Sequence, residues 1–187
     1  SGDTKNISYS ITKATALISG LTINGWIYGQ SANAPSASTT FGTISYVYSR
    51  EIDGIYTGTV PSAAGTYYVK AKVADRSNYN GSESAPVSFT VSKAAASITG
   101  LDATYTHTYN GVAFTITGIG RSHNESNLVY KVNGEVVTSI SVIDAGTYTV
   151  EVILPESDNY LEATATATIT VNKAETPNVV ITAQSAT

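Results

Sequence analysis

The sequence predicts an all-β chain folded as two tandem antiparallel β-sandwiches. Three observations carry the prediction: an internal repeat of 80 residues, strict alternation of apolar and polar side chains within each copy, and turn dipeptides at short intervals. Composition agrees with it. The 187 residues include 22 Ser, 27 Thr, 13 Tyr and 15 Gly. Only 13% are charged, about half the usual share. Thr, Tyr, Val and Ile suit a pleated, half-buried surface.

The repeat is read from matched segments. Phe89-Thr-Val-Ser-Lys-Ala94 recurs as Ile169-Thr-Val-Asn-Lys-Ala174, and Ser10-Ile-Thr-Lys-Ala14 is related to both. The lysines stand at 13, 93 and 173, two steps of 80. Ser19-Gly-Leu21 corresponds to Thr99-Gly-Leu101 at the same spacing. Ala64-Gly-Thr-Tyr67 returns as Ala145-Gly-Thr-Tyr148, and Asn78-Tyr79 as Asn159-Tyr160, each 81 apart. A one-residue insertion after Leu101 and a deletion after Tyr160 reconcile the two spacings. Two complete units follow, 14–93 and 94–173. Residues 1–13 read as a vector scar at Ser1-Gly2 and then the last strand of a preceding repeat, over 6–13. Residues 174–187 read as the start of a following repeat. Lys93-Ala94-Ala95-Ala96 joins the units without a Gly- or Pro-rich linker, so a short, stiff junction and an end-to-end arrangement are expected.

Within each unit the period is two. Tyr67, Val69, Ala71 and Val73 alternate with Lys70 and Lys72, and Tyr148, Val150, Val152 and Leu154 form the matching set. The closing strands Val87-Ser-Phe-Thr-Val91 and Ala167-Thr-Ile-Thr-Val171 alternate as well. Such alternation belongs to antiparallel sheets with one face in water. Asp53-Gly54, Asn80-Gly81, Asn110-Gly111 and Asn133-Gly134 supply turns, and Asn133-Gly134 between two apolar runs is the strongest hairpin signal. Six or seven short strands in each unit make a sandwich.

Charge and composition exclude several functions. Ten basic against fourteen acidic side chains give a net charge of -4, with no basic stripe for nucleic acid. The charge is uneven: unit one has five basic and four acidic residues (+1), unit two three and eight (-5). No apolar run reaches the ~18 residues of a membrane span. With no Cys, disulfides, zinc thiolates and thiol catalysis are excluded.

Asp144-Ala-Gly-Thr-Tyr148-Thr-Val150 resembles the immunoglobulin pattern Asp-x-Gly/Ala-x-Tyr-x-Cys at the start of strand F. Val150 and Val69 stand at the cysteine position, and Ala63 replaces the Asp in unit one. The whole cycle from Lys-Ala junction to Thr-Val-x-Lys-Ala close resembles the bacterial immunoglobulin-like repeats of large surface proteins, of the mostly-beta MBG type. The resemblance covers nearly all of 14–173. It implies a secreted or wall-attached location and a stalk or adhesin context, and it implies neither an enzyme nor a known ligand.

The candidate sites follow from residue type. Tyr67 and Tyr148 fit a tyrosine corner, ring inward and hydroxyl bonded to nearby backbone. Trp26 is either a core residue or an exposed aromatic. Because the register places His107 at the matching position, a shared core site is not expected, and Trp26 with Tyr28 and Tyr79 could form a platform for a sugar face. His107 and His123 read as solvated loop residues, since neither has converging ligands. Glu156-Ser-Asp-Asn159 has oxygen ligands for Ca²⁺ but reads as a turn. No nucleophile, base and orienter are brought together, so no catalytic residue, cofactor or metal is assigned. Lys13, Lys93 and Lys173 raise a Lys–Asn isopeptide option, disfavoured at unit ends. Asn6, Asn80 and Asn124 each begin a sequon, without significance in a bacterial chain. The expected protein is a monomeric, non-catalytic stalk segment of an extracellular surface protein, partnered by neighbouring immunoglobulin-like repeats. The rival is a binding module for glycan or host protein through loops around Trp26 and 74–84.

Overall fold

The computed structural model describes residues 5–176. The scar read at Ser1-Gly2, and all but 174–176 of the segment read as a following repeat, lie outside them. The chain divides into two units, Ser1–Ala94 and Ala95–Thr187. Every regular element among the described residues is a strand.

Unit one contains β1 (Ala14–Thr15), β2 (Ile18–Thr22), β3 (Trp26–Ile27), β4 (Ser36–Thr39), β5 (Ile44–Ser49), β6 (Gly65–Val73), β7 (Tyr79–Asn80), β8 (Ser82–Glu83) and β9 (Val87–Ser92). Its main sheet runs β3-β9-β6-β5, with β8 also on β6. β9 is antiparallel to β6 and parallel to β3. The short pairs β2-β4 and β1-β7 complete the unit. The period-two pattern on β6 buries Tyr67, Val69, Ala71 and Val73, each 5% exposed or less. Trp26, Tyr48, Phe89 and Val91 join Tyr67 and Val69 in one aromatic core.

Unit two contains β10 (Ile98–Thr99), β11 (Thr104–Thr108), β12 (Phe114–Thr115), β13 (Gly120–Arg121), β14 (Val129–Val132), β15 (Glu135–Val137), β16 (Ser141–Val142), β17 (Gly146–Leu154) and β18 (Ala163–Asn172). Its main sheet runs β11-β18-β17-β14-β15, with β10-β13 and β12-β16 as short antiparallel pairs. Its core is aliphatic: Ile116, Ile140 and Val142 pack with Val150, Val152, Ala167, Ile169 and Val171. At Asn133-Gly134 the backbone takes φ of 50° and 86°, the left-handed pair that a two-residue hairpin demands. The two valines at the immunoglobulin cysteine position are buried, Val69 at 0% and Val150 at 1%. Apolar packing occupies the site that a disulfide fills in that pattern. In both units the strand order is that of an immunoglobulin-like β-sandwich.

Two prolines account for the local differences. Pro61 stands 81 residues before Val142, which pairs with Phe114 in the β12-β16 ladder. A proline has no N–H to give to such a ladder, and residues 60–61 form no strand. Pro86 interrupts the line of β8 and β9. Between Lys72↔Glu83 and Val69↔Val87, β6 advances three residues while the facing chain advances four, which is a bulge. Ser84 bridges it: its N–H donates to the Ala71 carbonyl at 2.9 Å, and its hydroxyl accepts from the Ala71 N–H at 3.0 Å. The matching stretch of unit two is the unbroken ten-residue β18. Residues 6–13, expected as the last strand of a preceding repeat, form no strand here and are exposed throughout.

Candidate functional site

The aromatic residues of unit one were the leading candidates, and the fold separates them. Trp26 sits on β3, paired with Val91, and is 7% exposed. Its ring stacks on Phe89 at 5.2 Å; Phe89 also stacks on Tyr67 at 5.9 Å and meets Tyr48 edge-on at 6.1 Å. The expectation that a Trp/His position would not be core is therefore corrected. The two positions do correspond, since His107 pairs with Val171 as Trp26 pairs with Val91. But the copies adjust their neighbours. Unit one surrounds the position with Phe89 and Tyr48, whereas unit two replaces Phe89 with Ile169 and supplies Phe114, which stacks on half-buried His107 at 5.4 Å.

Trp26 lines a groove of about 420 Å³ with Tyr28, Gly29, Gln30, Ala32, Val60, Pro61 and Ser62. Pro61 lines it, at the position where unit two has Val142 of the β12-β16 ladder. Tyr28 is half-buried and fixed by its N–H, which donates to the Ser92 carbonyl at 2.8 Å. Tyr79 is not part of this surface. It follows the Val73 end of β6 and stacks on Phe41 at 5.8 Å. Trp26 neighbours Val91, which pairs with Gly65 at the opposite end of β6. A strand of this length spans about 25 Å, so Trp26, Tyr28 and Tyr79 do not form one platform, and the Trp26 and 74–84 loops do not share a face.

The patterned tyrosines each bond backbone four residues upstream. The Tyr67 hydroxyl donates to the Ala63 carbonyl at 3.0 Å, and the Tyr148 hydroxyl to the Asp144 carbonyl at 2.9 Å. In unit one the corner is reinforced: Arg50 donates to the Tyr67 hydroxyl at 2.9 Å and lies over its ring at 5.0 Å. Tyr67 is 5% exposed, whereas Tyr148 is half-buried.

His123 is not a solvated loop residue. It is 8% exposed, its ring lies 3.9 Å from that of Tyr160 at an interplanar angle of 6°, and its Nδ1 accepts the Glu125 N–H at 3.2 Å. This stack seats the 156–159 loop beside Glu125. One carboxylate oxygen accepts from the Ser157 hydroxyl at 2.8 Å and the Asn159 N–H at 3.3 Å, while the other accepts from the Asn159 amide at 3.1 Å. Hydrogen bonds from Asn159 and Ser157 hold the Glu125 carboxyl below its ordinary pKa. Sequence reasoning missed this clamp because Glu125 and Asn159 are 34 residues apart. Among the described residues no three His, Asp or Glu side chains gather in a metal-binding group. Lys13, Lys93 and Lys173 all lie outside strands, and none is buried.

No protein-family model matches the chain, and no curated protein matches it. Among solved structures it is similar to the fibronectin(III)-like modules of Clostridium thermocellum CbhA, with 18% identity over 85% of this chain and 95% of that one and a TM-score of 0.33. It is also similar to Drosophila N-cadherin EC1-3, with 14% identity over 88% and 70% of the two chains and a TM-score of 0.33. The sheet order, the corner tyrosines and the buried valines place both units in the class of immunoglobulin-like β-sandwich modules.

Proposed function

We propose that the chain is a pair of non-catalytic structural repeats from an extracellular bacterial surface protein, serving as stalk in an adhesin context and belonging to the MBG type. The observation that carries this reading is where the copies agree and where they differ. They share the core strands, the corner tyrosine and the closing strand. They differ at the surface, in net charge, and at the groove beside Trp26. A module selected as a spacer keeps its strand framework and lets its side chains and surface drift, and stability in such an array is the sum of unit and neighbour terms. The neighbouring repeats are then the chain's partners, and no helix among the described residues is long and apolar enough to cross a membrane.

One observation favours a second reading. The groove sets apolar Tyr28, Ala32, Val60 and Pro61 beside polar Gln30 and Ser62, a lining suited to a sugar face or a host-protein segment. A glycan array with the purified chain separates the two. The spacer reading predicts no binding at millimolar glycan. Binding that disappears in Tyr28→Ala, with both units still folded, would establish the second reading. Trp26→Ala is unsuitable as the control because its ring is core.

A further inference from the structure

Residues 6–13 belong to neither described core. Aligned on Lys13, Lys93 and Lys173, Ile7-Ser-Tyr-Ser-Ile11 matches Val87-Ser-Phe-Thr-Val91 of β9 and Ala167-Thr-Ile-Thr-Val171 of β18. The matching positions differ sharply in burial. Phe89 and Val91 are 6% and 1% exposed, Ile169 and Val171 0% and 3%, whereas Ile7, Tyr9 and Ile11 are 86%, 87% and 90% exposed. In an extended chain these three side chains fall on one face, with Ser8 and Ser10 on the other. The segment thus has the complete pattern of a closing strand with its inward face uncovered.

The two closing strands show what such a face fits. β9 is antiparallel to β6 on one side and parallel to β3 on the other. β18 has the same relation to β17 and β11. Each lays its apolar face on the core and fills a slot between two strands. Both slots in this chain are taken by its own strands.

We infer that residues 6–13 are a closing strand: they dock in, and complete, a further immunoglobulin-like sandwich of this repeat type, taking the place that β9 and β18 take in the two units. The acceptor presents an antiparallel edge resembling β6 or β17, a parallel edge resembling β3 or β11, and an apolar trough between them. Main-chain pairing supplies affinity, and alternate pockets for Ile7, Tyr9 and Ile11 supply register. The inference rests on the tandem-module reading and identifies the partner of one segment.

Three measurements on the full chain test it. First, β9 is rewritten with the sequence of 7–13 by Val87→Ile, Phe89→Tyr, Thr90→Ser, Val91→Ile and Ser92→Thr. Unit one should still melt cooperatively, with a loss of no more than about 8 °C. A control with Val87→Ser, Phe89→Ser and Val91→Ser should lose that transition. A graft that fails like the control overturns the inference. Second, Ile7→Ser, Tyr9→Ser and Ile11→Ser together should leave both melting transitions in place; a lowered transition for unit one would show that the segment serves unit one, and would overturn it. Third, sedimentation of the native chain should show a monomer. A dimer dissolved by the triple serine variant would make the occupant a second copy and overturn the inference. Failure of the graft while the native units melt separately leaves the tandem-module reading standing; one merged native transition would remove that reading instead.

Discussion

Unit one and unit two reach the same fold by different means. Unit one is aromatic and interrupted: Trp26, Phe89, Tyr48 and Tyr67 fill its core, and Pro61 and Pro86 break its ladders. Unit two is aliphatic and continuous, with Ile140, Val150, Val152 and Ile169 in the core and nine residue pairs along β17-β18. Large rings contribute burial and directional stacking, so unit one tolerates a shorter hydrogen-bonded frame. Unit two has smaller side chains and relies on longer pairing. Core volume and backbone pairing are thus exchangeable within one repeat type, provided that each unit is internally consistent.

The largest test of the comparison is truncation at the matched position. Trp26→Ala should destabilise unit one by about 3–5 kcal/mol, as for a buried aromatic, with unit two unchanged. His107→Ala, at a half-buried site, should cost unit two about 1 kcal/mol. Calorimetry resolving the two transitions checks both, and equal losses would refute the division into an aromatic and an aliphatic core.

The corner tyrosines sharpen the comparison on a smaller scale. Tyr148→Phe removes one hydrogen bond to the Asp144 carbonyl and should cost about 1 kcal/mol. Tyr67→Phe also removes the hydrogen bond from Arg50, a charged donor, and should cost about 1.5–2 kcal/mol. Urea unfolding of the two variants measures the difference. If Tyr148→Phe were the costlier, the reinforcement by Arg50 would be of no consequence.

The smallest expected effect is a pH dependence. Hydrogen bonds from Asn159 and Ser157 hold Glu125 below its ordinary pKa of 4.5 in the folded state. Its contribution to unit two is therefore present above about pH 4.5 and is lost as the pH falls through the lower folded value. In unit one the hydrogen bond from Lys72 lowers Glu83 in the same sense. Glu125→Gln should flatten the acid slope of the second transition and leave the first untouched. An unchanged slope would mean that the clamp does not couple to folding.

These pairs also mark what was legible from the sequence. Alternation placed Tyr67, Val69, Ala71 and Val73 inward because a strand's two faces are set by parity alone. The Asn133-Gly134 hairpin was legible because only certain residues accept two successive left-handed conformations. Trp26 was not. Its environment depends on Phe89, Tyr48 and, in the other copy, Phe114, residues joined to it by register rather than by nearness in sequence. Tyr79 shares only its aromatic type with Trp26, and the length of β6 keeps them apart. His123 looked solvated because Tyr160, which covers it, lies 37 residues further on. Pro61 was a missed signal: a proline where its copy has Val142 was sufficient to foresee a missing ladder.

Each unit closes its own core: the aromatic cluster draws only on residues 21–91 and the aliphatic one only on 98–171. Separating the chain between Lys93 and Ala94 tests it most directly. Amide spectra of the two pieces, recorded apart, should each show dispersed β-sheet resonances that overlay the intact chain away from the cut. A piece whose resonances collapse to unfolded positions, and recover only when the other piece is added, would show a shared core and contradict the account.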